Sequence, residues 1–215
     1  MLIHFYNFKI NKMLRSLFLF VILILCNISI TKAQTLSIGP VLGANFSKIS
    51  KLDNAKTRTG LSAGVFANYS IDEHFGLNVK LIYSQLGTKL DNTTESTRLN
   101  YIQLPISGVY FFGESGNRVR PKIFLGPYVG FLLSATDTNG NDIVDANGND
   151  YYKKVDFGGQ VGVGLNYRIK DRTWLNVDAS YASSLGKIIE NSNIAYKNTA
   201  LALNLGVSFP VSGSN

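Results

Sequence analysis

The 215-residue chain carries 21 basic and 14 acidic side chains, a formal charge of +7, with 45% hydrophobic residues, 16% charged residues, 20 glycines and one cysteine. That balance excludes a disordered chain, and the length is that of one domain. Four of the bases, Lys9, Lys12, Arg15 and Lys32, fall in the first 33 positions, where there is no acid, so the remainder holds 17 bases against 14 acids and no basic stripe for a nucleic acid.

The chain opens on a basic start, followed by an uninterrupted apolar run from Leu17 to Cys26 and small residues at Thr31 and Ala33. That order is a secretory signal peptide, and the apolar run is short for a membrane-spanning helix. Residues 1–33 are therefore expected to be removed between Ala33 and Gln34, with Met13, directly before the signal-like stretch, as an alternative start. A lipoprotein reading of Cys26 wants a small residue before it, and Leu25 stands there. Cleavage at Ala33 leaves residues 34–215 without cysteine, which excludes disulfides, thiolate metal sites and cysteine nucleophiles together.

From Gln34 onward apolar residues alternate with small or polar ones. Leu36, Ile38, Pro40, Leu42, Ala44 and Phe46 share one face of a first strand, against Ser37, Gly39, Gly43 and Asn45. The pattern returns at Leu61–Tyr69, Leu77–Tyr83, Ile102–Ile106, Ile123–Phe131, Phe157–Leu165, Leu175–Tyr181 and Leu201–Phe209. This predicts an all-β chain of eight strands, each of about ten residues, with no helix and one apolar face.

Eight antiparallel strands with one apolar face build either a soluble lipocalin-like barrel with that face inward or a transmembrane barrel with it outward. The connections favour the second. Links at 71–74, 113–118 and 169–172 are short, whereas those at 47–59, 88–98, 135–155 and 186–197 are longer and polar, which places all long loops at one end. An eight-stranded up-and-down antiparallel transmembrane β-barrel with short periplasmic turns and long external loops has that alternation. Aromatic residues suggest two girdles: Tyr69, Phe75, Tyr110, Phe111, Phe112, Tyr167, Trp174 and Phe209 near the short turns, and Phe46, Tyr83, Tyr101, Phe131 and Tyr181 near the long loops. The expected interior is small and polar, with glycines 39, 43, 64, 126, 130, 162, 164 and 206 beside Asn78, Gln103, Gln160, Asn166 and Asn204. At eight strands such an interior fills with side chains and makes a plug, and Lys80, Lys122, Asp156 and Asp178 are expected to form ion pairs within it.

Three motifs carry a family likeness: Leu81-Ile82-Tyr83-Ser84-Gln85-Leu86-Gly87, Tyr101-Ile102-Gln103-Leu104-Pro105-Ile106 and Leu125-Gly126-Pro127-Tyr128-Val129-Gly130. With Gly158, Gly162, Gly164 and Tyr181 leading into Leu185-Gly186, their order resembles the PorT-like outer-membrane β-barrel proteins common in the Bacteroidota. The resemblance implies an eight-stranded outer-membrane barrel over residues 34–215, in a family whose founding relative is linked to secretion and gliding machinery. The chain departs from many outer-membrane proteins in its tail, where Phe209 is followed by Pro210 to Asn215 instead of ending the chain.

Little in the sequence points to chemistry. The segment from Asp137 to Asp150 repeats Asn-Gly-Asn-Asp at a spacing of eight, and its alternating oxygen side chains suit calcium, with Asp137, Asn139, Asn141 and Asp145 as candidate ligands. Against an EF-hand template Asp142 stands where glycine is needed and Gly148 where a bidentate carboxylate is needed, so the competing reading is a solvated loop of turn formers. His74 lies in a short turn beside Asp72 and Glu73, which turn polarity explains without catalysis. The expectation is a monomeric, non-enzymatic outer-membrane barrel without cofactor. Its partners would be outer-membrane lipid, the barrel assembly machinery and an external or envelope protein met by the loops. A periplasmic lipocalin-like barrel with a small apolar ligand and a small pore are the alternatives.

Overall fold

A computed structural model describes residues 35–211 apart from 92, 115, 190 and 191. The expected leader, residues 1–33, lies outside the described residues, as does the tail beyond Val211. Every element is a strand: β1 (Thr35–Ser50), β2 (Ala55–Ser70), β3 (Phe75–Leu90), β4 (Ser96–Phe111), β5 (Val119–Thr136), β6 (Val155–Lys170), β7 (Thr173–Ser184) and β8 (Lys197–Pro210). Each pairs antiparallel with its chain neighbour, and β1 closes on β8 from Ser37↔Pro210 to Ser50↔Lys197. Closure leaves no sheet edge, the condition for placing strands in hydrocarbon, where an unpaired N–H or C=O has no water to bond.

The apolar face points outward. Leu42, Leu61 and Leu125 are each 66% exposed on the barrel wall, and Ile38, Val65, Leu81, Val161, Val163, Leu203 and Leu205 surround them. The opposite face of the same strands buries Asn45, Ser62, Asn78, Lys80, Gln103, Ser107, Lys122, Asn166, Asp178 and Asn204. An apolar ligand in a lipocalin-like cavity needs the reverse arrangement, so the inward-facing alternative fails.

The strands run 12 to 18 residues, longer than the hydrophobic alternation suggests. The polar links expected at 47–59 and 88–98 are mostly strand: the β1–β2 and β3–β4 tips shrink to residues 51–54 and 91–95. Hydrogen-bonded ladder continues past the apolar band there, because Ser47↔Arg58 and Gly87↔Arg98 still pair. Only residues 137–154 and 185–196 remain as long external connections. The opposite end turns at 71–74, 112–118 and 171–172.

The two aromatic girdles form with fewer members than expected. Phe75, Phe112 and Phe209 are exposed at the short-turn end, and Tyr110 joins them, its ring 5.2 Å from Phe75 and 5.1 Å from Phe112. Phe131 and Tyr181 are half exposed at the other end. Tyr101 and Phe111 do not belong to a girdle: both are buried inside, at 0% and 6% exposure. They share the inward register of Gln103, and proximity to a strand end does not change the face. Trp174 likewise shares the register of Asn176 and sits opposite Arg168, whose guanidinium lies 5.9 Å from its ring.

Candidate functional site

Two places concentrate chemistry: the barrel interior and the external mouth. In the interior, Asp178 on β7 receives Lys80 from β3 at 3.0 Å and Lys122 from β5 at 2.7 Å, one amine on each carboxylate oxygen. All three side chains are under 10% exposed. The Phe124 ring sits beside both amines, at 5.4 Å from Lys80 and 6.0 Å from Lys122. Gly164 opposite leaves the room this cluster needs, since a Cβ there would lie 2.4 Å from Asp178 Oδ1 and 2.6 Å from Lys122 Cε.

Three of the four charges expected to pair inside therefore do so, and the fourth does not. Asp156 meets no cation among the described residues; it accepts from Ser184 Oγ at 2.9 Å, Asn198 Nδ2 at 3.1 Å and the Tyr128 hydroxyl at 3.3 Å. Asn198 also donates to the Tyr101 hydroxyl at 3.2 Å, tying β4, β5, β6, β7 and β8 into one network. Hydrogen bonds from neutral donors are enough to hold a buried carboxylate when several converge.

Large rings fill the space that the glycines leave. A Cβ on Gly162 would lie 2.3 Å from Phe124, one on Gly158 2.4 Å from Tyr128 and one on Gly206 2.6 Å from Phe66. Sequence reading missed Phe66 and Phe124 as interior residues, because each stands between two lipid-facing apolar residues and blends into the run. The signal was present in phase: each is an apolar residue in the polar register, with a glycine near it on a neighbouring strand. Between the charged cluster and the Asp156 network remains a cavity of about 40 Å³, lined by Asn45, Lys80, Ser84, Gln103, Tyr128 and Asn198 among others. That volume has room for a few ordered waters.

The external mouth is closed by a hydrophobic cluster of Ile49, Leu86, Leu99, Tyr101, Tyr152, Ile188, Ile189 and Ala200. Tyr152 and Ile188 belong to the two long loops, which fold over the barrel and join by a β-bridge between Tyr152 and Ile189. Lys153 N–H donates to the Ile188 carbonyl at 2.8 Å, and Ile188 N–H to the Tyr196 carbonyl at 3.0 Å. Burial pushes the Tyr152 phenol up to about 12, so it stays neutral in the cap. Here water is the surrounding solvent and apolar burial is the driving term, about 1.5–3 kcal/mol for a side chain such as Ile188.

The candidate calcium residues lie in two successive copies of one turn. Asp137 Oδ1 accepts the Asn139 and Asn141 N–H groups at 2.8 and 2.9 Å, and Asp145 Oδ1 accepts those of Asn147 and Asn149, both at 2.8 Å. Gly140 and Gly148 supply the left-handed step, at φ of 87° and 80°. Asp137, Asn139 and Asn141 thus share the first turn, while Asp145 heads the second. Among the described residues no group of three or more His, Cys, Asp and Glu side chains is placed to hold a metal ion.

The backbone donors hold both carboxyls below the usual range, chiefly Asn141 for Asp137 and Asn149 for Asp145. A lowered folded value means that the turn is supported above the unfolded carboxyl range and loses that support as pH falls through the folded value. The amide proton shifts of Asn141 and Asn149 are expected to move together over that acidic window; shifts that stay flat through it would show the turns to be held by glycine geometry alone. His74 occupies a similar turn at the other end, where Asp72 Oδ1 accepts the Phe75 and His74 N–H groups at 2.7 and 2.8 Å. Its ring packs on Tyr110 with centroids 5.7 Å apart, and Nδ1 lies 3.1 Å from the Phe111 carbonyl, a structural role at a strand end.

No curated protein matches the chain. Among solved structures it is similar to Neisserial surface protein A, with a TM-score of 0.55 and 17% identity over 82% of this chain and 99% of that one. It is similar also to the outer membrane protein OprG from Pseudomonas aeruginosa, with a TM-score of 0.52 and 13% identity over 84% of this chain and 97% of that one. At these identities the likeness is one of fold. The family model of the outer membrane protein beta-barrel domain matches residues 32–190, most of the chain. With its closed ladder, outward apolar band and polar plug, the chain belongs to the outer membrane protein beta-barrel domain family.

Proposed function

We propose that this chain is a non-conducting, non-enzymatic barrel of the PorT-like line, exported by the signal-like residues 1–33 and inserted by the barrel assembly machinery. It works as a monomer, and its external loops are the contact surface for an envelope or external protein. The observation that carries this reading is the sealed mouth: the loops that contain Tyr152 and Ile188 are built into the hydrophobic cluster and present a fixed outer surface. A loop ordered before it meets a partner loses less conformational freedom on binding.

A structural role and a loop-borne role separate in a deletion strain. Replacing residues 138–149 by a two-residue turn is expected to leave a compact barrel that migrates faster unheated than boiled, yet fails to restore the phenotype of the strain lacking the gene. Full restoration by the shortened barrel would move the function to the wall. In planar bilayers the purified protein is expected to be silent, and recurrent unitary current steps would revive the small-pore alternative.

A further inference from the structure

Beyond the external end of the apolar band the wall of the barrel carries cations without an ion-pair partner on one side. Phe46 and Tyr83 mark the external girdle on β1 and β3. Lys48 lies two residues past Phe46, and Lys197 four residues past Leu201, the register partner of Phe46. Arg98 lies four residues past Ile102, the register partner of Tyr83, and Lys89 six residues past Tyr83 itself. At about 3.3 Å of rise per residue and a strand tilt near 40°, these positions stand roughly 5 to 15 Å above the girdle.

Lys48, Lys89 and Arg98 are exposed and Lys197 is half-buried. None of the four has an ion pair or a side-chain hydrogen bond among the described residues, whereas Lys56, opposite Lys89 in the ladder, is held by Asp91 at 2.5 Å. On the other side of the barrel the outward residues at the strand ends, Leu133, Val155 and Leu185, are apolar and 50% to 64% exposed, and the cations just beyond them are held, Lys154 by Asp150 at 2.8 Å and Lys187 by the Ser192 carbonyl at 2.9 Å. Extended strand, paired β1 with β8 and β3 with β4, thus carries unneutralised cations outward at the level of the external headgroups.

We infer that this face binds the phosphate groups of the outer-leaflet glycolipid, with Lys48, Lys89, Arg98 and Lys197 as the contacting cations. The inference rests on the assignment of the long loops to the cell exterior. Phosphate is the matching chemistry because the cations are spread over a wall that faces lipid headgroups instead of converging in a pocket. Each cation near an anionic headgroup layer adds to the attraction, and the sum is screened by salt.

The test is native mass spectrometry of the full barrel in detergent with added lipid A, either diphosphorylated or enzymatically dephosphorylated. Wild type is expected to retain the diphosphorylated form about tenfold or more over the other, a preference that falls as salt rises. Substituting Lys48→Ser, Lys89→Ser, Arg98→Ser and Lys197→Ser together abolishes the preference, while Arg118→Ser with Lys170→Ser at the opposite end leaves it intact. Equal retention of both lipids by wild type, or equal loss in the control, overturns the inference; if the fourfold variant does not fold, the wild-type salt series decides it. The exterior assignment is read separately, by labelling Lys89→Cys and Asp171→Cys on intact cells with a membrane-impermeant maleimide. Labelling of Asp171→Cys alone would sink the orientation, whereas labelling of Lys89→Cys without a phosphate preference would sink only the lipid contact.

Discussion

Leu125→Arg is expected to destabilise the barrel by about 2–4 kcal/mol, the cost of an arginine facing lipid at the bilayer midplane. Leu125 stands at the middle of the outward face of β5, six residues from both Val119 and Phe131, paired with Gly108 and Val161 on either side. It is 66% exposed on a wall whose neighbours are all apolar, so the guanidinium has no partner within the protein and can reach water only by distorting the bilayer. Leu133→Arg, eight residues further along the same strand and 57% exposed, is expected to cost only about 0–1 kcal/mol, because it stands near the external headgroups. The measurement is the urea midpoint of refolded protein in vesicles, read from the fraction that keeps the compact unheated mobility. Equal losses at both positions would mean that depth is irrelevant and that lipid does not surround this wall.

The outward band was legible because period-two alternation survives wherever one face meets hydrocarbon. It ended too early in the sequence for a physical reason. Past Phe46, Tyr83 and Leu201 the outward positions are Lys48, Gln85 and Thr199, so the alternation of apolar with polar vanishes although the ladder continues. Strand length above the membrane is fixed by pairing, which one strand read alone does not reveal. Tyr101 shows a different failure: its parity with Gln103 already placed it inside, but its nearness to a strand end suggested a girdle.

The interior was legible as composition and not as partnership. Lys80 and Asp178 are 98 residues apart and meet only because tilt and register bring β3, β5 and β7 to one height across the lumen. The same geometry carries Asp156 toward Ser184 and Asn198, away from the lysines. The cap was the least legible feature, since Tyr152 and Ile188-Ile189 are apolar residues in polar loops whose meeting depends on the whole barrel. Their isolation was itself a clue: an apolar pair inside a solvated loop has to bury against something.

Asp178→Asn is expected to be the most damaging single substitution inside the barrel, at about 3–5 kcal/mol, because it leaves Lys80 and Lys122 buried without their shared counterion. Shape is nearly conserved, so the loss reports charge and not packing. The effect should be conditional on the lysines. With Lys80→Met and Lys122→Met in place, Asp178→Leu is expected to cost little, since an apolar set of similar volume removes the desolvation penalty along with the attraction. The cycle of single, double and triple variants, followed by urea midpoints in vesicles, isolates the coupling between carboxylate and amines. A loss below about 1 kcal/mol for Asp178→Asn alone would put these charges at the level of a solvent-exposed pair. Water would then reach the middle of the barrel, and the small-pore alternative would regain its footing at the one cross-section where a solute has to pass. A large and strongly coupled loss ties the closed interior to the charge cluster, and it predicts that Asp178→Asn, if it folds at all, is the variant that leaks.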